Sequence, residues 1–141
     1  VGAVLHERGH QVVGVDVDPI LIAAAVQDYP GPTWVVSDLV EMDLSQHGVC
    51  EPFDAAVLAG NVLAFVEGGT ESRALAGVGR HLKPGARVAV GFQCERYAVA
   101  DFDRHLTDAG FILEQRFATW DLRPWDDGAE FAVSVLIWPG E

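Results

Sequence analysis

Hydrophobic positions along the chain recur with two different spacings, and the switching between them predicts the order of elements. Val1, Val4 and Leu5 share a helical face that stops at Gly9, a residue suited to the left-handed turn after a helix. A short apolar strand follows over 11–15, and Asp18 before Pro19 marks a helix start whose buried face is Ile22, Ala25, Val26 and Tyr29. "YPGP" ends that helix. "TWVVSD" and "FDAAVLAGN" are the next two apolar runs, separated by a polar loop over 43–52. Leu75, Val78 and Leu82 then define a helix that closes at "LKPG" and leads into a strand over 87–92. Val99, Phe102, Leu106 and Ala109 mark another helix, stopped by Gly110. "FILEQRFATW" and "EFAVSVLIW" are two longer strands joined by "DLRPWDDGA", a connection compatible with an antiparallel hairpin. Helix and strand alternate, and the early strands are continuous apolar runs. That is the pattern of a doubly wound α/β fold, mostly parallel, with an antiparallel strand near the C-terminus.

In such sheets the loops that follow strands open on one edge, where ligands bind. Asp16, Asp38, Asn61 and Gln93 each end a predicted apolar strand, so they are expected on that edge although far apart in sequence. Turn chemistry is the competing reading for any one of them. Asp16 is the strongest candidate. The following helix already has its cap in Asp18, which leaves both Asp16 oxygens free to accept from a ligand such as a ribose.

Composition narrows the classes. Half of the 141 residues are hydrophobic and 21% are charged, the balance of a globular domain with a real core. Nine Lys and Arg stand against 21 Asp and Glu, and a net charge of −12 with no basic cluster argues against nucleic acid as a partner. Cys50 and Cys94 form no CxxC pair, so neither a metal site nor a disulfide framework has support. Reduced thiols, no membrane-length apolar run and no signal-peptide pattern make the expected setting cytoplasmic, with no membrane partner.

Taken together, "VVGVDVDP", "WVVSDL", "FDAAVLAGNVLAFV", "HLKPGARVAVGF" and the closing "AGF" with its two strands resemble the class I methyltransferases that use S-adenosylmethionine. The resemblance runs over essentially the whole chain, read as one domain over 1–141. It implies a Rossmann-like sheet, S-adenosylmethionine as cofactor and a small-molecule acceptor. By this resemblance Asp16 would bind the ribose and Val17 would pack on adenine. Asp38, with Leu39 beside it, would meet the adenine amino group, and Gly60 and Asn61 would lie near the methionine part and the acceptor. Phe65 and the loop bearing Gln93, Arg96 and Tyr97 are the expected acceptor contacts. Asn61 is followed by Val62, Leu63 and Ala64 rather than by Pro-Pro and an aromatic, so the resemblance is not to the enzymes that methylate amino groups of DNA bases.

The family's opening strand and glycine-rich turn have no counterpart here, since the sequence starts in what matches the helix after that turn. The absent strand would lie between those ending at Asp16 and Gly60, leaving about 10 Å that no backbone hydrogen bond spans. The expectation is therefore a natural protein with about 40 or more residues before Val1, or else a rearranged sheet. Two other functions fit the same residues: a dinucleotide-binding enzyme whose NAD ribose Asp16 would hold, and a non-catalytic α/β module. His6, His81 and His105 fall on predicted helices and are read as solvated. His47 is a loop residue and a weaker ligand candidate. The "WDLRPWDDG" hairpin tip is read as structural.

Overall fold

The computed structural model describes all 141 residues. The chain divides into two compact units, Val1–Val49 and Cys50–Glu141. Its strands form a two-stranded sheet and a four-stranded one.

The first unit runs α1 (Gly2–Glu7), β1 (Val13–Asp16), α2 (Pro19–Asp28), β2 (Thr33–Val36) and a short 3-10 turn over Leu44–His47. β1 and β2 are parallel, with Gly14 opposite Trp34 and Asp16 opposite Val36. Gly14 is required there, because a Cβ would come within 2.2 Å of the Trp34 ring. The indole Nε1–H of Trp34 donates to the Tyr29 carbonyl at 2.9 Å, tying the end of α2 to β2. Asp18 caps α2 as expected, its Oδ1 accepting the Ile20 N–H at 2.8 Å. The expected buried face of α2 is not what forms. Ile22 alone is buried and Ala25 is half-buried, while Val26 and Tyr29 are exposed. Two strands make too narrow a sheet to cover more than a stripe of a ten-residue helix. Ile22, Val35, Met42 and Leu44 form the buried apolar set of this unit.

The second unit contains β3 (Phe53–Leu58), α3 (Glu71–Gly79), β4 (Leu82–Gln93), α4 (Val99–Asp108), β5 (Ile112–Phe117) and β6 (Phe131–Ile137), in the sheet order β3-β4-β6-β5. β3 and β4 are parallel, and β6 runs antiparallel to both β4 and β5. Mixed α/β architecture with one reversed strand is therefore as the pattern predicts. Leu82 departs from expectation. It does not extend the helical face of Leu75 and Val78, because α3 stops at Gly79 and Leu82 already pairs with Phe53 in the sheet. β4 thus starts five residues earlier than the apolar run 87–92, with a register shift around Pro84 and Gly85, the latter at φ 84°.

The core of this unit is built on Phe92, Phe102, Leu75, Leu136, Val88, Val90 and Val133, all fully buried. Phe92 and Phe102 meet edge to face at 5.0 Å between ring centres. Ser134, also fully buried, is opposite Arg116 in the β5–β6 pairing and accepts its Nε–H at 2.9 Å, so the polar position inside β6 is satisfied. At the other end of the sheet the Trp138 ring lies on Gly79, where a Cβ would approach within 2.6 Å, and packs on Phe111. Gly79→Val should lower stability by about 1 to 3 kcal/mol through overpacking against this buried indole. Gly68→Ala, with nothing within 4 Å of the added methyl, should stay within about 0.5 kcal/mol of the parent. Urea denaturation of both variants checks the difference.

Candidate active site

Parallel pairing places the C-terminal ends of β3 and β4 side by side, and the residues that follow them are tied together. After β3, Gly60 (φ 80°) and Asn61 (φ 62°) are both left-handed, which turns the chain into a short 3-10 turn over Val62–Ala64 with Leu63 buried beneath it. Asn is among the few residues that accept this conformation readily. Its side chain reaches across, and Oδ1 accepts the Gln93 backbone N–H at 2.7 Å. Gln93 Oε1 in turn accepts from Arg96 Nε at 2.6 Å. The Arg96 guanidinium lies 5.9 Å from the centre of the Phe65 ring, and Phe65 is 70% exposed. Gly60, Asn61, Phe65, Gln93 and Arg96 therefore make one continuous rim in the second unit.

Tyr97 belongs to the same loop but turns inward. It is 8% exposed, with its ring 4.9 Å from Phe92 and 5.8 Å from Phe102, and its hydroxyl lies 2.5 Å from His105 Nδ1. Burial, with help from Glu71 and Asp101 and against Arg104, pushes the phenol well above its ordinary range, so it stays protonated. An acceptor-facing Tyr97 is thus replaced by one committed to the core.

In the first unit, Asp16 ends β1 and Asp38 follows β2, its parallel neighbour. Asp16 Oδ1 accepts the Asp18 N–H at 2.9 Å, and its carbonyl accepts the Ser37 N–H at 3.0 Å. One carboxylate oxygen is therefore used in the turn, a correction to the expectation that both are free, and Oδ2 remains. Val17 beside it is 67% exposed, an apolar surface of the kind on which a flat ring packs. Asp38 is exposed, with Oδ1 accepting the Val40 N–H at 2.8 Å, and Leu39 is half-buried.

Two side-chain groupings have no strong signal in the sequence. Arg116, in β5, donates to Ser134 and to both oxygens of Asp103, and its guanidinium lies 5.8 Å from the Phe102 ring centre and 5.7 Å from that of Trp125. It lines a cleft of about 510 Å³ with Cys94, Asp103, Trp125 and Asp127. Burial raises the Cys94 thiol pKa, and the Arg116 charge offsets part of that. The clue was a serine within the apolar run of β6, opposite an arginine. His105 is the second. It is mostly buried between Tyr97 and Glu71 rather than solvated. His81 is likewise not on a helix but in the turn before β4, its Nδ1 2.7 Å from the Gly77 carbonyl oxygen. His6 is exposed on α1, and His47 is exposed in the 3-10 turn.

The Methyltransferase domain family matches residues 2–90. The chain belongs to that family. The methyltransferase superposes on a TehB-like S-adenosylmethionine-dependent methyltransferase of Corynebacterium glutamicum with a TM-score of 0.90 and 39% identity, covering 97% of this chain and 73% of that one. The CcbJ methyltransferase of Streptomyces caelestis gives 0.82 at 16% identity, over 96% and 78% of the two chains. CalS10 of Micromonospora echinaspora, an amino pentose methyltransferase with S-adenosylmethionine bound, gives 0.74 at 14% identity over 97% and 80%. No curated protein matches the chain. The cofactor of the methyltransferase is S-adenosylmethionine, which sets aside the dinucleotide reading of Asp16. The free Asp16 oxygen and the exposed Val17 fit an adenosine group.

Because Asn61 supplies both a left-handed backbone and the bond to Gln93, its two roles separate by substitution. Asn61→Gly keeps the backbone and should cost about 0.5 to 1.5 kcal/mol. Asn61→Ala adds about 1 to 2 kcal/mol for a left-handed alanine. Equal losses in chemical denaturation would contradict this division.

Proposed function

We propose that the protein transfers the methyl group of S-adenosylmethionine to a small-molecule acceptor held at the rim formed by Asn61, Phe65, Gln93 and Arg96. The observation that carries this reading is the linkage across the ends of β3 and β4, from Asn61 through Gln93 to Arg96 and Phe65. Asp16 and Val17, at the end of β1, and Asp38 and Leu39, after β2, are assigned to the adenosine part of the cofactor, and Gly60 and Asn61 to the part near the methyl group. The family match, which spans the first unit and continues into the second as far as residue 90, supports treating residues 1–141 as one domain.

The cofactor's sulfonium supplies an activated methyl group, and transfer is an in-line displacement. The chain's own work is then to hold the acceptor atom in line and to keep water away. Neither Asn61, Gln93, Arg96 nor Phe65 is a general base, so the rim acts by positioning an acceptor that is already nucleophilic. Arg96 donates to Gln93 through Nε, and its terminal nitrogens suit a carboxylate or phosphate on the acceptor. The acidic balance of the chain disfavours a polyanion, which supports a small acceptor over nucleic acid. No helix is long and apolar enough to cross a membrane. Cys50 and Cys94 are unpaired, consistent with a cytoplasmic setting.

Calorimetry with S-adenosylhomocysteine tests the cofactor half. Asp16→Ala should weaken binding at least tenfold, as expected for loss of a charge-assisted hydrogen bond worth about 1.5 to 3 kcal/mol, and Asp38→Ala should weaken it less. An unchanged affinity in Asp16→Ala rules out the ribose assignment. A panel of anionic and neutral small acceptors tests the other half. Arg96→Ala should lower turnover of the anionic ones at least tenfold and spare the neutral ones, and an equal effect on both places the acceptor elsewhere.

A further inference from the structure

The rim is carried by the loop 59–70 after β3 and by Gln93 at the end of β4 with the loop 94–98 that follows it, and behind it a second set of contacts joins the same two loops. Glu71, at the start of α3, accepts the Gly69 N–H with both carboxylate oxygens, at 3.1 and 3.2 Å. Its Oε2 lies 3.8 Å from His105 Nε2, longer than a hydrogen bond. His105 Nδ1 lies 2.5 Å from the Tyr97 hydroxyl, and the two rings are stacked. Glu71 and His105 side chains are only 16% and 18% exposed.

The Tyr97 hydroxyl and His105 Nδ1 share one hydrogen bond, in which a phenol can either donate to or accept from the ring nitrogen. His105 Nε2 faces the Glu71 carboxylate. Glu71 from α3 lies against His105, and Glu71, Asp101 and Arg104 all act on Tyr97. Each member has its polar partner within the chain, from the Gly69 amide at one end to the Tyr97 hydroxyl at the other.

We propose that Glu71, His105 and Tyr97 are positioning residues that clamp the β3–α3 loop to the β4–α4 loop, so that Asn61, Phe65, Gln93 and Arg96 are held as one body. The clamp itself is independent of methyl transfer; its bearing on the acceptor rests on the rim reading above. In the front layer the loops are joined by the Asn61–Gln93 hydrogen bond and the Arg96–Phe65 contact. In the rear layer they are joined through His105. Two ties at different depths resist hinging as well as separation, which a single hydrogen bond does not.

Amide exchange on the full chain, read by mass spectrometry without acceptor or cofactor, tests the clamp separately from the function. Tyr97→Phe keeps the ring and removes the hydroxyl. Both segments, 60–69 and 93–98, should then exchange about tenfold faster, with β5, β6 and the first unit unchanged within about twofold. His105→Asn places an amide oxygen near the Nδ1 position but cannot reach Glu71. It should return 93–98 to within about threefold of the parent while 60–69 stays fast. The proposal is overturned if Tyr97→Phe accelerates 93–98 alone, accelerates the whole unit evenly, or leaves both segments unchanged. It is also overturned if His105→Asn affects both segments alike.

Discussion

Everything at the candidate site depends on the direction in which β3 and β4 run. Parallel neighbours must finish on the same edge, and the chain that leaves each strand has to turn back into a helix before it can reach the next one. Loops that are separated by more than 30 residues are thereby brought within hydrogen-bond reach, as Asn61 and Gln93 are at 2.7 Å. The same constraint acts on its own in the first unit, where Asp16 ends β1 and Asp38 follows β2. None of Asp16, Asp38, Asn61 and Gln93 is buried, so polar side chains there displace nothing from the core. That leaves them available for chemistry.

The interior of the second unit shows the opposite accounting. Arg116 is almost wholly buried, a placement that costs several kcal/mol for an unpaired charge. Here it is surrounded by Ser134, both oxygens of Asp103 and two aromatic faces, so every component of its fork has a partner or a π surface. Removing any one of these partners would expose the cost that the others now share. The arrangement fixes α4, β5 and β6 relative to one another in a way that apolar contacts alone, which tolerate sliding, do not.

The sequence was most legible where local chemistry decides the outcome. Asp18 before Pro19, the apolar runs of β1 to β3 and the glycines at 9 and 110 all act within a few residues, and each element begins or ends within about two residues of where they place it. Legibility fell where tertiary partners decide. The face of α2 was drawn four residues wide, but a helix buries only what its neighbour covers. Leu82 keeps helical spacing with Leu75 and Val78, yet Gly79 breaks the helix and Phe53 offers a strand to pair with. For the site, strand-end residues were readable because position alone places them. The inward turn of Tyr97 and the burial of His105 depend on the two helices packing together, and no spacing in one helix encodes the contents of the other.

The reversed strand β6 has a consequence for how the second unit comes into being. It lies between β4 and β5, although β5 precedes it in sequence. Until residues 131–137 are in place, β5 has no edge to join and Ser134 is not there to meet Arg116. The hairpin can form locally, but its insertion against β4 closes a loop of about 40 residues, from Gln93 to Phe131 at its near end. Loop closure of that kind is slow compared with local helix formation. In the meantime the apolar edge of β4 stands open. A chain built this way should therefore be most prone to association before its last strand docks, whatever the stability of the finished fold.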